Sequence, residues 1–356
     1  MRIAQIIDSL ESGGAERMAV NYANALESEI EFSGIVVTRK EGVLLNQISP
    51  SVSYLFLNKK RQIDFKALFT LRSYVLKNKI THIHAHSTSF FLAFLLKLTL
   101  PRIKIIRHDH YGQSEFLETR PHLVLKLTAF FFNGVIVVNQ NLKRWSEKKI
   151  KAKNVVYFPN FVVEDITVTE NTVLNGLEGK RIICLANLRA QKNHALLLEV
   201  AQKLSSKHPD WSFHLVGKDF EDNYSKEIKQ KIYKEKLNNV FVYGSRQDIS
   251  NVLNQATIGV LVSKSEGLPV ALLEYGQFKK PVIVTNVGEI PFVIEHRNNG
   301  LIVPDLNAEI FYDLLIECIE NSSLRIGLGD RLFETISDRF SKKTIIKKYL
   351  NWLHEI

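Results

Sequence analysis

Between Ile258 and Asn286 the chain reads "IGVLVSKSEGLPVALLEYGQFKKPVIVTN". Two short runs rich in Val and Ile, "IGVLVS" and "PVIVTN", flank a helical stretch carrying Val270, Leu273 and Phe278. Strands that are apolar from end to end are buried on both faces, and strand–helix–strand is the repeating unit of a parallel sheet. The same alternation extends in both directions. Upstream lie "RIICLANL", "SFHLVG" and "NVFVYG", and downstream "GLIVP". The first half opens on "RIAQIID" and continues through "SGIVVTR", "ITHIHAH", "IKIIRH", "GVIVVN" and "NVVYFPN".

Each half begins with a strand, a turn and an amphipathic helix: "SLESGGAERMAVNYANAL" after the first strand, "RAQKNHALLLEVAQKL" after "RIICLANL". A length of 356 residues suits two domains better than one core. The fold class expected is therefore α/β, with two Rossmann-like, doubly wound domains at 1–163 and 180–340. The polar, turn-rich stretch 164–179, "EDITVTENTVLNGLEG", reads as the linker.

Composition, with 45% hydrophobic and 24% charged residues, is that of an ordinary globular chain. Cys184 and Cys318 stand far apart and form no C-x-x-C pair, which fits a reducing compartment. "MRIAQIID" reads as a buried first strand and not as a signal peptide. A net charge of +10 suggests an anionic partner (nucleic acid, an anionic lipid surface or a phosphorylated small molecule), the plain alternative being solubility alone. The cations are dispersed and no nucleic-acid module is present, which argues against the first.

In open α/β sheets ligands bind outside the C-terminal strand ends, where loops meet helix N-termini. Four sequence features fall there. Gly13 and Gly14 of "SGGAE" either bring backbone close to an anion or serve a turn needing positive φ. Arg189 and Lys192 of "NLRAQKN" sit at a helix start, where cations oppose the dipole and make sense as a phosphate clamp. Glu266 precedes a Gly267-Leu268-Pro269 turn, with Pro269 in the first helical turn and Glu274 eight residues on. A carboxylate at 274, near apolar neighbours, is costly unless paired, and two such acceptors suit the hydroxyls of a sugar and a ribose.

"HIHAHS" (82–87) and "HDHYG" (108–112) form the fourth feature. Alternate residues of a strand share a face, so His-x-His is real metal-ligand geometry. No carboxylate or cysteine completes a set nearby, so the reading preferred is no metal, with His82 and His84 packed in the core or cleft wall. His108 is the candidate for contact with a reacting group, and His86 and His110 for the acceptor or cleft. The absence of any D-x-D removes the usual metal-binding carboxylate pair for a nucleotide diphosphate.

Taken in order, "SGGAER", "NLRAQKN", "SEGLPVALLEYGQFKKPVIVTNVGEIPFVI" and "NGLIVP" resemble the landmarks of the retaining GT-B glycosyltransferases of the group 1, or family four, type. The likeness covers nearly the whole chain and is strongest from Arg181 to Pro304. It implies two domains facing each other across a cleft, with the nucleotide-sugar donor on the second and the acceptor on the first. It implies that Arg189 and Lys192 hold the diphosphate, Glu266 and the backbone after it meet the donor sugar, and Glu274 receives ribose hydroxyls. His108 would lie beside the donor sugar, Gly14 near the donor phosphate, and Arg246 at the base.

The activity implied is retaining transfer from a UDP- or GDP-sugar to a glycan or lipid-linked acceptor in envelope, capsule or O-antigen synthesis. Neither metal nor cofactor is required on this reading, and no nucleic acid is a partner. The place expected is the cytoplasm, peripheral on the inner face of the cytoplasmic membrane. The rivals are a GT-B nucleotide-sugar epimerase and a non-catalytic nucleotide-sugar-binding protein. The chain departs from the family at "GEIPF", where Glu289 and Phe292 stand in place of Gly-Gly-x-Pro-Glu, and at "RHDHY", with its second imidazole.

Two segments have a choice of surroundings. "FFLAFLLK" is too short to span a bilayer and reads as a buried helix in preference to a membrane-facing one. In 341–356, Ser341 is a helix cap and Ile345, Ile346, Tyr349, Leu350 and Leu353 form one stripe opposite Lys342, Lys343, Lys347 and Lys348. The resemblance implies a helix that packs back on the first domain, and an amphipathic membrane anchor is the alternative.

Overall fold

The computed structural model describes residues 1–11, 13–112, 116–163 and 171–356. The chain divides into two compact units, Met1–Ile166 with Lys342–Ile356, and Thr167–Ser341. Much of the expected linker, 164–170, lies outside the described residues; 171–175 is hydrogen-bonded to Asp248, Gln255 and Tyr243 of the second unit.

The first unit runs β1 (Arg2–Ser9), α1 (Gly14–Leu26), β2 (Phe32–Lys40), β3 (Ser53–Phe56), α2 (Phe65–Lys77), β4 (His82–His86), α3 (Phe90–Thr99), β5 (Lys104–Asp109), α4 (Leu123–Thr128), β6 (Gly134–Val137), α5 (Gln140–Trp145) and β7 (Val155–Tyr157). Its parallel sheet has the order β3-β2-β1-β4-β5-β6-β7. Strand residues of one parity, such as Ile83, Ala85 and Ile105, pack under Leu71 of α2, Leu96 of α3, Leu125 of α4 and Trp145 of α5. Ile7, Ile35 and Val37 pack on Ala19 and Ala23 of α1, across the sheet.

The second unit runs β8 (Arg181–Leu185), α6 (His194–Lys207), β9 (Ser212–Val216), α7 (Asn223–Lys234), β10 (Val240–Gly244), α8 (Ile249–Gln255), β11 (Ile258–Leu261), α9 (Val270–Gln277), β12 (Val282–Thr285), α10 (Ile290–Val293), β13 (Leu301–Val303), α11 (Ala308–Glu320) and α12 (Ser322–Arg339). Its sheet order, β10-β9-β8-β11-β12-β13, repeats the doubly wound pattern. The quoted stretch is β11-α9-β12, and β11 and β12 pair in parallel from Gly259↔Val282 to Leu261↔Val284.

The last helix, α13 (Lys342–Glu355), belongs to the first unit. Ile345, Ile346, Tyr349 and Leu353 are buried, Leu350 is half-buried and the four lysines are exposed. The Trp352 ring lies so close over Gly134 that a Cβ there would stand 2.6 Å from it. An apolar stripe buried this way in protein is not available to lipid. Helix α3 is likewise seated, with Leu92, Ala93 and Leu96 in the core.

Candidate active site

In each sheet the strand order reverses beside the first strand, and that switch point is where an α/β sheet leaves a crevice. In the second unit it lies between β8 and β11. The chain leaves β8 through Asn187 and Leu188, enters a single 3-10 turn at Ala190–Lys192, and starts α6 only after Asn193, held at φ 54°. Arg189 thus precedes a 3-10 turn and not the α-helix itself. Its guanidinium is exposed and stacks on the Phe220 ring at 4.4 Å.

Lys192 reaches across the switch point. Its Nζ donates to Glu266 Oε1 at 2.5 Å, and the Ser263 hydroxyl donates to the same oxygen at 2.6 Å. Glu266 is 4% exposed, so its charge is bearable because it is paired and hydrogen-bonded. The loops are stitched together around it. Lys264 N donates to Gln191 O, Gln191 Nε2 to Ser265 O, and Thr285 Oγ1 to Ser263 O. Glu289 N donates to Gly267 O at 3.0 Å, so the unusual "GEIPF" segment braces the backbone just past Glu266. Gly288 takes φ 59°, and a Cβ there would sit 2.2 Å from the backbone carbonyl oxygen of Glu266, so no other residue fits without moving the backbone at Glu266 and Gly267.

Gly267, Leu268 and Pro269 are buried beneath this corner. Pro269 is the residue before α9, at φ −69° and ψ 124°, one place earlier than the first-turn position expected. Tyr275 pins the helix from below: its hydroxyl accepts from Leu185 N at 2.7 Å and donates to Ile183 O at 3.2 Å. With Tyr275 facing the sheet, Glu274 is turned toward the half-exposed flank of α9. Arg246 lines an open pocket of 420 Å³ with Asn171, Thr172, Val173 and Tyr243.

The first unit places the histidines together, though not as open cleft residues. His82, His84 and His86 share one face of β4, and His108 of β5 pairs in register with His86. Tyr22 of α1 and Tyr349 of α13 roof them, at ring distances of 4.9 and 5.3 Å from His84. Burial drives every one of these imidazoles toward the neutral form: His82 and His110 fall to about 4, and His84, His86 and His108 well below their ordinary value. For His110 the pull of Asp109 opposes burial without reversing it.

Proton positions follow from the partners. His86 Nε2 lies 2.9 Å from Gln5 Oε1, which only accepts, so Nε2 carries the proton and Nδ1 accepts from His110 Nε2 at 2.9 Å. The Tyr349 phenol, which burial keeps neutral, donates to His84 Nδ1 at 3.1 Å. His84 Nε2–H then donates to His108 Nδ1 at 3.1 Å, which leaves His108 as an Nε2–H donor. Among the described residues that Nε2 is buried with no partner, as are Tyr22 Oη and Gln5 Nε2.

One expectation needs correction here, and another is narrowed. His86 is fully buried with both ring nitrogens engaged, so it is a supporting group and not an acceptor contact. His108 is 1% exposed and only its Nε2 edge is uncommitted. The reason is the same for both: the α1–α13 layer covers a strand end that sequence alone leaves open. His84, His86 and His108 each offer a ring nitrogen within 4.8 Å of the others, the one such group among the described residues. Those nitrogens are spent largely on one another, on Gln5, on Tyr349 and on His110.

Gly13 caps α1 with extended backbone, φ −166°, and Gly14 has open space at its Cβ position, so positive φ is not why glycines stand there. Ser12 of the same turn lies outside the described residues. Sequence reasoning missed two hydrogen-bonded carboxylates. At the end of β1, Asp8 accepts from Thr38 and Thr88, both at 2.5 Å. On the other face of β5, Arg107 and a bidentate Arg120 grip Asp109 at 2.8–2.9 Å. Burial alone would raise the Asp109 carboxyl, but the two guanidinium charges outweigh it and hold it far down.

Residues 169–331 match the family model described as glycosyl transferases group 1, and residues 12–165 match that of Glycosyltransferase Family 4. The chain belongs to the group 1, family 4 glycosyltransferases. An uncharacterized glycosyltransferase of Haemophilus influenzae is 25% identical over 95% of both chains. The Escherichia coli UDP-Gal:alpha-D-GlcNAc-diphosphoundecaprenol alpha-1,3-galactosyltransferase is 23% identical, over 88% of this chain and 86% of its own. Among solved structures, Anabaena Alr3699/HepE in complex with UDP-glucose superposes with a TM-score of 0.80 at 16% identity, covering 100% of both chains. The two sheets described above are thus the two Rossmann-like domains of a GT-B glycosyltransferase, with Glu266 and Glu274 in the domain that the group 1 model matches.

Proposed function

We propose that this glycosyltransferase moves a sugar, with retained configuration and without a metal, from a UDP- or GDP-sugar to a glycan or lipid-linked acceptor in surface polysaccharide synthesis. The observation that carries the reading is the Lys192–Glu266 pair at the β8/β11 switch point, with Arg189 exposed beside it. A cation held at that spot by a buried carboxylate is already ordered before a diphosphate arrives, which is what preorganised electrostatic stabilisation requires. Arg189 and Lys192 offset the charge that grows on the departing diphosphate. Glu274 takes the ribose hydroxyls, Arg246 the base edge, and the backbone of Gly267, Leu268 and Pro269 runs along the sugar. Gly14 leaves room for the phosphate, and His108 Nε2–H donates to a sugar hydroxyl.

The acceptor hydroxyl attacks from the face the diphosphate leaves, and a phosphate oxygen takes its proton, so no side-chain nucleophile is needed. Support for the donor comes from the Anabaena complex with UDP-glucose, and for the acceptor from the relative whose name includes a diphosphoundecaprenol-linked sugar. Work on such an acceptor implies a peripheral position at the inner face of the cytoplasmic membrane. The test is transfer from UDP- and GDP-sugars to undecaprenyl-diphosphate-linked acceptors in EDTA, with the new linkage assigned by NMR. An inverted anomeric centre, or turnover only after adding a divalent metal, rejects the mechanism.

A further inference from the structure

The outer surface of the first unit is unequal on its two sides. Among the described residues, its ten exposed large apolar side chains all fall between residues 63 and 130. None is on α1 or α13, whose side of the sheet buries its apolar residues in the usual way. The exposure peaks on α4 and the 3-10 turn that follows it, Ala129–Phe131: Leu123 is 70% exposed, Leu127 68% and Phe130 80%. Half-buried beside them, the Phe131 ring meets Phe94 of α3 at 4.9 Å and Phe130 at 6.0 Å.

Charge is unequal in the same place. Between residues 90 and 160 there are twelve Lys and Arg against four Asp and Glu, so this stretch carries +8 of the chain's +10. Lys148 and Lys149 project from the π-turn Ser146–Ile150, which packs against α4, and both are exposed. Lys153 Nζ sits over the Phe130 ring at 5.7 Å. Exposed apolar surface of this extent is not left to water without a use, and a protein partner would need acids and hydrophobes matched to it. Apolar side chains at the tip of a short helix, rimmed by lysines, match a bilayer surface with anionic headgroups, where each rim cation adds attraction.

We infer that α4 and its following turn dock this enzyme on an anionic phospholipid bilayer, with Leu123, Leu127 and Phe130 in the headgroup–acyl boundary and Lys148, Lys149 and Lys153 on the phosphates. This rests on the reading that the acceptor is lipid-linked, and it gives the membrane contact a location other than α3 or α13. The test needs no sugar, so its failure is separate from failure of the transferase reading. Full-length protein is sedimented with vesicles of phosphatidylcholine alone and of phosphatidylcholine with phosphatidylglycerol. The expected result is binding to the anionic vesicles only, weakening as salt is raised.

Leu127→Glu with Phe130→Glu should lower that partitioning about tenfold or more, the scale set by one large apolar side chain kept in water. Lys148→Gln with Lys149→Gln should lower it severalfold and flatten the salt dependence. Thermal melting of each variant at the wild-type temperature shows that the fold is kept, since all four side chains are exposed. Absence of wild-type binding, or binding unchanged in both variants, overturns the inference. So does a wild-type dimer in sedimentation velocity that the Leu127→Glu, Phe130→Glu variant dissociates, because the occupant is then a second copy.

Discussion

Removing residues 342–356 should unfold the first domain while leaving the second intact. The deleted helix buries Ile345, Ile346, Tyr349 and Leu353, each at most 3% exposed. Burial of such side chains contributes about 1.5–3 kcal/mol apiece, so the four together stand at roughly 6–12 kcal/mol. A whole domain is stable by only about 5–15 kcal/mol. The loss also exposes Gly134 beneath Trp352 and strips the Tyr349 hydroxyl from His84, so the histidine cluster opens to water. Calorimetry of the full chain should show transitions for both domains; the truncated chain should lack that of the first, and limited proteolysis should leave a fragment near 171–341. A truncated chain with both transitions at their original temperatures refutes the packing argument. Tyr349→Phe, which keeps the ring, should fold and melt within a few degrees of wild type.

Acid should weaken the first domain well above the carboxylate range. His84, His86 and His108 are neutral when folded, with pKa values pushed down by burial, so below about 6.5 the unfolded chain binds protons that the native chain does not. Stability is therefore present above about 6.5 and falls with pH, by about 1.4 kcal/mol per pH unit for each imidazole; urea melts at stepped pH read the slope, and a flat profile contradicts the burial. Arg189→Ala should lower turnover by about two orders of magnitude with a smaller change in donor affinity, the pattern of a group acting on leaving-group charge; a pure KM defect means ground-state binding instead. Gly288→Ala should cost transfer activity without global unfolding, because the added methyl displaces Glu266 O at 2.2 Å; full activity in the variant contradicts the bracing role.

Most of the fold is legible because both sheets are parallel and roofed on two faces, which makes strands such as β11 and β12 nearly uninterrupted apolar runs. The strand missed, "SYLF" of β3, lies at the sheet edge with all four residues half-buried, so it lacks that signature. The candidate residues of the second domain were readable singly, but not their pairing: Lys192 and Glu266 are 74 positions apart and meet only where the sheet reverses. His86 looked open to the cleft, and His108 more open than it is, because a strand end carries no sign of what covers it. Their cover comes partly from Tyr349, 265 positions beyond His84. The exposed face of α4 was unreadable for the opposite reason, since "HLVLKLTAFFF" has the pattern of a core segment and only the packing shows which side chains are left outside.

The most direct measurement of the central claim, that a nucleotide diphosphate is held by the second domain without metal, is titration calorimetry of UDP and GDP in EDTA against wild type and Glu274→Gln. The account predicts one site for at least one of the two nucleotides, unaffected by EDTA. It also predicts affinity about tenfold or more weaker in the variant, since a charged hydrogen bond is worth roughly 1.5–3 kcal/mol. Binding that disappears in EDTA, or a correctly folded Glu274→Gln chain that binds as tightly as wild type, contradicts it.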